Sequence, residues 1–237
     1  MAGISTMGIN QFERLMSKSG LCVQRLRKRI LTTESKGGKH IYPNLLYAGY
    51  TVCDVNEVVV CDLTYFQNSS GLYYIFLITD VYSQRIVGAT AAEDKRSIHA
   101  YEALQQLVRL RGPANMECTI HHGDKGSEYR SDQYIGELKH LKMQISMADN
   151  CLENGHAEKR NDTVKNEFLF YFEMAINNIC QLRKALKIAI HRYNHEVVQA
   201  KLNYLTPAMY EALIASLPPE DRPRIQLHDF SDKQRTK

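Results

Sequence analysis

Three short runs of β-branched and aromatic residues follow one another between residues 57 and 92: "EVVVCDLTYF" (57–66), "LYYIFLIT" (72–79) and "QRIVGATAA" (84–92). Turn formers at 67–71 and 80–83 separate them, so the pattern predicts an antiparallel meander. The second run is apolar on both faces, which fits a central, covered strand. A helical stripe follows (Ala100, Leu104, Leu107, Val108), with Ser97 as its cap and Gly112-Pro113 as its stop. "ECTIHH" (117–122) and "MQISM" (143–147) read as two further strands with a helix over 131–141 between them. Beyond residue 154 the chain reads as helix. A second helix over 178–194 has Ile179, Leu182, Leu186, Ile190 and Tyr193 at three- and four-residue steps. Thr206-Pro207 opens a short helix that ends before Pro218-Pro219, and the last 18 residues read as a loose polar tail. Upstream, residues 8–30 hold helical spacing with a Ser19-Gly20 break, compatible with a helix-turn-helix or half of one. Residues 32–44 read as a linker. The resulting order, β-β-β-α-β-α-β-α-α, predicts an α/β domain with a mixed sheet covered on both sides.

Composition narrows the function classes. A chain of 237 residues, 44% hydrophobic, can bury one sizeable core plus an appendage. It has no apolar run long enough to span a membrane and no apolar leader at its start, so the expectation is a cytoplasmic protein. The six cysteines are scattered, without zinc-knuckle spacing, and read as free thiols. Residues 1–50 hold eight Lys/Arg against two Asp/Glu, whereas the remainder holds 22 against 24. A basic arm on a near-neutral body fits an electrostatic grip on nucleic acid, or equally a solvated basic face.

Three acids stand in chemically pointed places. Asp62 follows four apolar strand residues, where a charge is costly unless it has a partner or a metal. Asp124 directly follows the fourth strand, in "IHHGDKGSEY". If the first and fourth strands are neighbours, the two carboxylates converge at one edge of the sheet. An Asx-turn or cap is the alternative for each aspartate alone. In "NGHAEKRNDTVKNEFLFYF" (154–172), Ala157, Val164, Phe168 and Tyr171 form a buried stripe. Glu158 and Lys165 lie along its edge, seven residues apart, and a plain surface pair is the alternative there. Three carboxylates from separate segments suit Mg²⁺ or Mn²⁺. Two such ions about 4 Å apart can activate an attacking oxygen and stabilise the leaving oxygen of a phosphodiester. His121 and His122 alternate across a strand end, so only one can face the acids, in support rather than as a ligand. Lys125 is placed to touch phosphate or to stay solvated, and Asp80 reads as a structural turn residue.

In order along the chain, "VVVCDLTYF", "ITDVYSQRIVGA", "HGDKGSEYRSDQY", "ISMADNCLENGHAEKRNDTVKNE" and "YNHEVVQAKLNYLTPAMY" resemble the motifs of DDE transposases, whose catalytic core is retroviral-integrase-like. The branch they resemble most is the second-frame transposases of the bacterial insertion-sequence-three family. The resemblance spans roughly residues 45–212, and the ordered set of five is far more specific than any one motif.

The resemblance implies a ribonuclease H-like fold and a polynucleotidyl transferase. Water cleaves at the element end, and the exposed 3′-hydroxyl then attacks target DNA, with no covalent enzyme intermediate. It makes Asp62, Asp124 and Glu158 the metal-binding catalytic acids. Lys165 becomes a contact to terminal DNA, with Lys125 beside the site, and His122 a supporting group. It further implies DNA as partner, a homo-oligomer that brings two ends together, and a bacterial, nucleoid-associated setting. The expected organisation is an N-terminal arm (1–44), a core (45–212) and a C-terminal tail (213–237). There are departures. Val59 stands where the family often has tryptophan, the 33 residues between Asp124 and Glu158 are fewer than usual, and "HEVVQA" replaces the arginine-proline-histidine that often follows "YN". A silent relative that only binds DNA, and a ribonuclease H-like nuclease without a joining step, are the competing readings.

Overall fold

The structure is a computed structural model. It describes residues 8–21, 39–149 and 155–231, without the side chains of 155, 156, 158, 171, 173 and 174. Residues 1–33 and 34–237 form separate compact units. In the first, helix α1 (Ile9–Lys18) exposes Ile9, Phe12 and Leu15. It ends at Gly20, whose φ of +68° suits a residue without a Cβ. The second half of the expected helix-turn-helix lies outside the described residues.

The second unit is built on a five-stranded sheet. Strands β2 (Val58–Asn68), β3 (Gly71–Asp80) and β4 (Ile86–Ala92) form the predicted meander. Strands β5 (Ile120–Gly123) and β6 (Gln144–Met147) add in parallel beside β2, giving the order β4-β3-β2-β5-β6. Parallel neighbours need crossovers. Helix α2 (Ser97–Arg111) leads from β4 toward β5, and α3 (Asp132–His140) leads from β5 toward β6. Helix α3 is capped by Ser131, whose hydroxyl accepts from the Tyr134 backbone N–H at 3.2 Å. Ser97, expected as a cap, is instead the first residue of α2, which has no side-chain cap.

Alternation along β2 divides the core. Val59 and Cys61 pack with Leu104, Leu107, Tyr134 and Leu138 of α2 and α3. Val58 and Val60 turn to the opposite face and pack with Ala157 of α4 (Gly155–Thr163) and Tyr210 and Ile214 of α6 (Pro207–Ser216). Farther along that face, Ile75, Leu77 and Ala89 meet Leu182, Leu186 and Tyr193 of α5 (Ile179–His195). A period of two in the strands thus feeds two helical layers.

Three expectations are corrected. The helix after residue 154 is not continuous: α4 passes into a π turn at Val164–Phe168 and then a 3₁₀ segment at Leu169–Ala175. The described part of the linker expected over 32–44 packs within the second unit: His40 Nε2 lies 2.7 Å from Asp132 Oδ1, and Met147 donates its backbone N–H to the Pro43 carbonyl at 3.3 Å. The described part of the tail is also docked. Strand β7 (Ile225–Gln226) pairs antiparallel with β1 (Thr51–Val52), and Leu227 is buried. The Phe230 N–H reaches the Tyr47 carbonyl at 2.9 Å. Two-residue strands carry too little periodicity to be read from sequence.

Candidate active site

Strand β2 is central because β3 and β5 both pair with it. Its parallel register with β5 sets Val58 against Ile120, Val59 against His121 and Val60 against His122. Asp62 lies two residues beyond Val60 within β2, and Asp124 two residues beyond His122, just past the end of β5. Both acids act on the buried Cys61 thiol from the same end of the paired segment.

Gly123 occupies the intervening position because a Cβ there would stand 2.5 Å from Cys61 Sγ. A Cβ on Gly126 would stand 2.8 Å from both Asp124 Oδ1 and the Glu128 carboxylate. The φ of Gly126 is −57°, and Gly123 is not among the residues of positive φ. Both glycines thus serve close packing of the protein's own atoms rather than a left-handed turn.

Asp124 Oδ1 accepts the Gly126 backbone N–H at 2.8 Å. Burial pushes its carboxyl above the usual range, opposed by that hydrogen bond and by the Arg130 charge. Asp62 Oδ2 accepts the Asn161 side-chain amide at 2.6 Å, tying α4 to β2. Glu128, on a 3₁₀ turn beside Asp124, is 93% buried. Burial raises its pKa first, with Asp124 adding to the rise. The three carboxylates act on the same neighbours. The buried Cys61 thiol is pushed well up by burial and then by Asp124, Asp62 and Glu128. Tyr65 is raised by burial and then by Glu128, Tyr74, Asp124 and Asp62.

Glu158 lies in α4 three residues before Asn161; its side chain is outside the described residues. Lys165 is half-buried within the π turn rather than on a regular helix. An i+7 stacking on Glu158 presumes a regular helix, which the π turn interrupts. Lys125 pairs with Asp149. The histidines divide as strand alternation requires. His121 turns toward α3, where its Nε2 meets the Tyr134 hydroxyl at 2.8 Å. Burial and the neighbouring His122 lower its pKa to about 4, so it is neutral at pH 7. His122 is buried, with Nδ1 2.8 Å from Ser146 Oγ, which also accepts the Leu45 N–H. Asp80 is fully buried and accepts from the Ser83 hydroxyl and N–H and the Asn56 N–H, a structural role as expected.

Sequence reasoning missed Asn161, Glu128 and Arg160. The polar pair Arg160-Asn161 sits two and three residues after Glu158 among helical core positions, and both side chains are buried. The Arg160 guanidinium donates to the Tyr193 hydroxyl at 2.7 Å and to Gln84 Oε1 at 2.5 Å. Tyr193 in turn donates to the Gln84 carbonyl at 3.0 Å. This pins α4 to α5 and to the β3–β4 turn.

Among the described residues, no three His, Cys, Asp or Glu side chains assemble into a metal cluster. Asp62 and Asp124 nonetheless supply oxygen donors of the kind hard divalent cations take. The buried Glu128 carboxylate beside Asp124 adds like charge, which a cation would relieve. The residues present fit such an ion.

The Integrase core domain family matches residues 54–150. An insertion element IS600 protein of 31 kDa from Shigella sonnei is 32% identical over 86% of this chain and 75% of its own length. A transposase-like protein of Haemophilus influenzae is 30% identical over 86% of this chain and 94% of its own. Among solved structures, the HTLV-2 integrase catalytic core in complex with magnesium aligns with a TM-score of 0.55 at 16% identity, covering 67% of this chain and 97% of that one. A chain of the simian T-cell lymphotropic virus intasome aligns with a TM-score of 0.61 at 20% identity, covering 78% of this chain and 60% of that one. The sheet order and these likenesses agree, and the chain belongs to the integrase-core transposases of bacterial insertion sequences.

Proposed function

We propose that this transposase cleaves element ends and joins them to target DNA through a DDE site formed by Asp62, Asp124 and Glu158, with Mg²⁺ or Mn²⁺ as cofactor. The observation that supports this reading is the parallel register of β2 and β5, which runs to two residues before Asp62 and Asp124, with Asn161 of the Glu158 helix hydrogen-bonded to Asp62. Glu158 lies one helical turn before Asn161, so its backbone belongs to the segment that reaches the acids.

The three carboxylates are the groups that would hold the metal. When bound, it supplies Lewis-acid activation of the attacking oxygen and charge stabilisation on the leaving oxygen. The chain's own residues do the placing. Asn161 fixes one Asp62 oxygen, and the Gly126 N–H fixes one Asp124 oxygen. The buried surroundings of Asp124 strengthen electrostatic interactions by limiting water. In the first step water attacks the phosphodiester and the 3′ oxygen leaves with a proton as a 3′-hydroxyl; in the second that 3′-hydroxyl gives up its proton and attacks a target phosphodiester, whose own 3′ oxygen leaves. Lys165 and Lys125 would contact DNA phosphates, Lys125 by exchanging its Asp149 partner. His122 supports Asp124 from the preceding strand. The protein would work as a homo-oligomer in the bacterial cytoplasm, at the nucleoid.

The test is nicking and strand joining of a duplex carrying the element end, in Mg²⁺. Asp124→Asn, which keeps the shape and removes the charge, should abolish both. Persistent nicking by Asp124→Asn overturns the assignment. A wild-type chain that binds the duplex but neither nicks nor joins would favour a silent DNA-binding relative.

A further inference from the structure

The outer face of α5 carries charge of one sign. Its 17 residues contain Arg183, Lys184, Lys187 and Arg192 with His191 and His195, and no Asp or Glu. Beyond residue 50, the rest of the chain holds eighteen Lys/Arg against twenty-four Asp/Glu. Cationic side chains are thus gathered onto one helix of an otherwise acidic body. At about 100° per residue, Lys187, His191, Lys184 and His195 fall in a narrow stripe, and Lys184 to His195 spans about 16 Å of axis. All four are exposed, while Leu182, Leu186, Ala189 and Tyr193 face the core.

The stripe is little neutralised. Lys184 and Lys187 make no ion pair among the described residues. Arg183 donates to the Ala91 carbonyl, which satisfies a donor without cancelling its charge. Glu196, past the end of the helix, pairs with Arg192 and lies 3.9 Å from His191. The rings of His191 and His195 stack at 4.9 Å. Burial, then Arg85 and His191, disfavour the proton on His195, opposed by Glu196 and Glu211.

We infer that the α5 stripe is a docking surface for the phosphate backbone of duplex DNA, with Lys184 and Lys187 as its principal contacts. The inference rests on the reading of this chain as a DNA-acting transposase and adds a surface away from the acids of β2 and β5. Charge complementarity selects the occupant: two exposed lysines with no ion pair among the described residues meet a duplex that carries a negative charge every ~1.7 Å of axis. It gives sequence-independent affinity and positions the duplex rather than reading bases.

The experiment measures binding of the full chain to a labelled mixed-sequence duplex of about thirty base pairs over a salt series. The double substitution Lys184→Ala with Lys187→Ala should weaken binding about tenfold or more near 0.1 M salt and make the slope of log K against log salt shallower by about two. Arg109→Ala with Lys139→Ala, exposed cations on α2 and α3 of the opposite layer, should leave both nearly unchanged. Wild-type affinity and slope in the α5 variant, or equal losses in both double variants, overturn the inference alone. So does a loss explained by a lower oligomeric mass in sedimentation, which makes the stripe a contact between copies of the chain. A wild-type chain that binds no duplex overturns the inference together with the reading beneath it.

Discussion

Asn161 donates its side-chain amide to Asp62 across 2.6 Å, joining the helix that bears Glu158 to the central strand of the sheet. Removing the amide takes away a hydrogen bond that orients the Asp62 carboxylate. Asn161→Ala should therefore lower nicking about 10–100-fold, the usual range for a residue that orients a metal ligand. The half-saturating Mg²⁺ concentration should rise. Wild-type nicking and metal requirement in this variant would mean that the contact does not orient the site.

Gly123 and Cys61 are coupled by shape. A methyl group on Gly123 would stand 2.5 Å from the buried Cys61 sulfur. Gly123→Ala should cost about 1–3 kcal/mol in denaturant unfolding. Adding Cys61→Ala should recover part of that cost, giving a favourable coupling in the double-mutant cycle. Strictly additive losses would show that the clash lies elsewhere.

Arg160 holds α4 through neutral partners, the Tyr193 hydroxyl and Gln84 Oε1. Methionine at this position keeps much of the bulk and strands both partners. Arg160→Met should destabilise by about 2–4 kcal/mol, read as a shift in urea midpoint at constant m-value. Arg160→Lys, which can keep one bond, should fall between the two.

His121 gives the fold an acid limit. Its pKa is lowered to about 4 from an ordinary 6.5, so below pH 6.5 the unfolded chain takes up a proton that the native ring refuses. Its contribution to stability is complete above pH 6.5, declines as pH falls toward 4 and is lost through that value, by at most about 3 kcal/mol. His121→Phe removes this titration. Its stability relative to wild type should therefore improve steadily from pH 7 to pH 4 in thermal melts. A pH-independent difference would show that His121 titrates normally.

Much of this architecture was legible because strands and helices bury opposite faces at different periods. The meander, the α2 stripe and the end of β5 just before Asp124 all follow from residue spacing, whereas β2 runs six residues past Asp62. Adjacency of β2 and β5 did not, since it depends on which edge of the meander the later strand joins. The π turn at Val164–Phe168 left no mark in the apolar pattern. Asn161 and Arg160 looked like ordinary polar helix residues, because nothing local reveals that Asp62, Gln84 and Tyr193 arrive from distant segments. The glycines of "IHHGDKGSEY" make room for Cys61, Asp124 and Glu128, a role that depends on side chains from distant or folded-back segments.

The central claim is that Asp62, Asp124 and Glu158 jointly hold a divalent cation. A crystal soaked in Mn²⁺, with anomalous scattering recorded at the manganese edge, tests it most directly. The account predicts a peak with oxygens of both Asp62 and Asp124 at coordination distance and Glu158 in the same sphere or the adjoining one. A peak away from these acids, or an ordered Glu158 carboxylate more than about 10 Å from both aspartates, would contradict it.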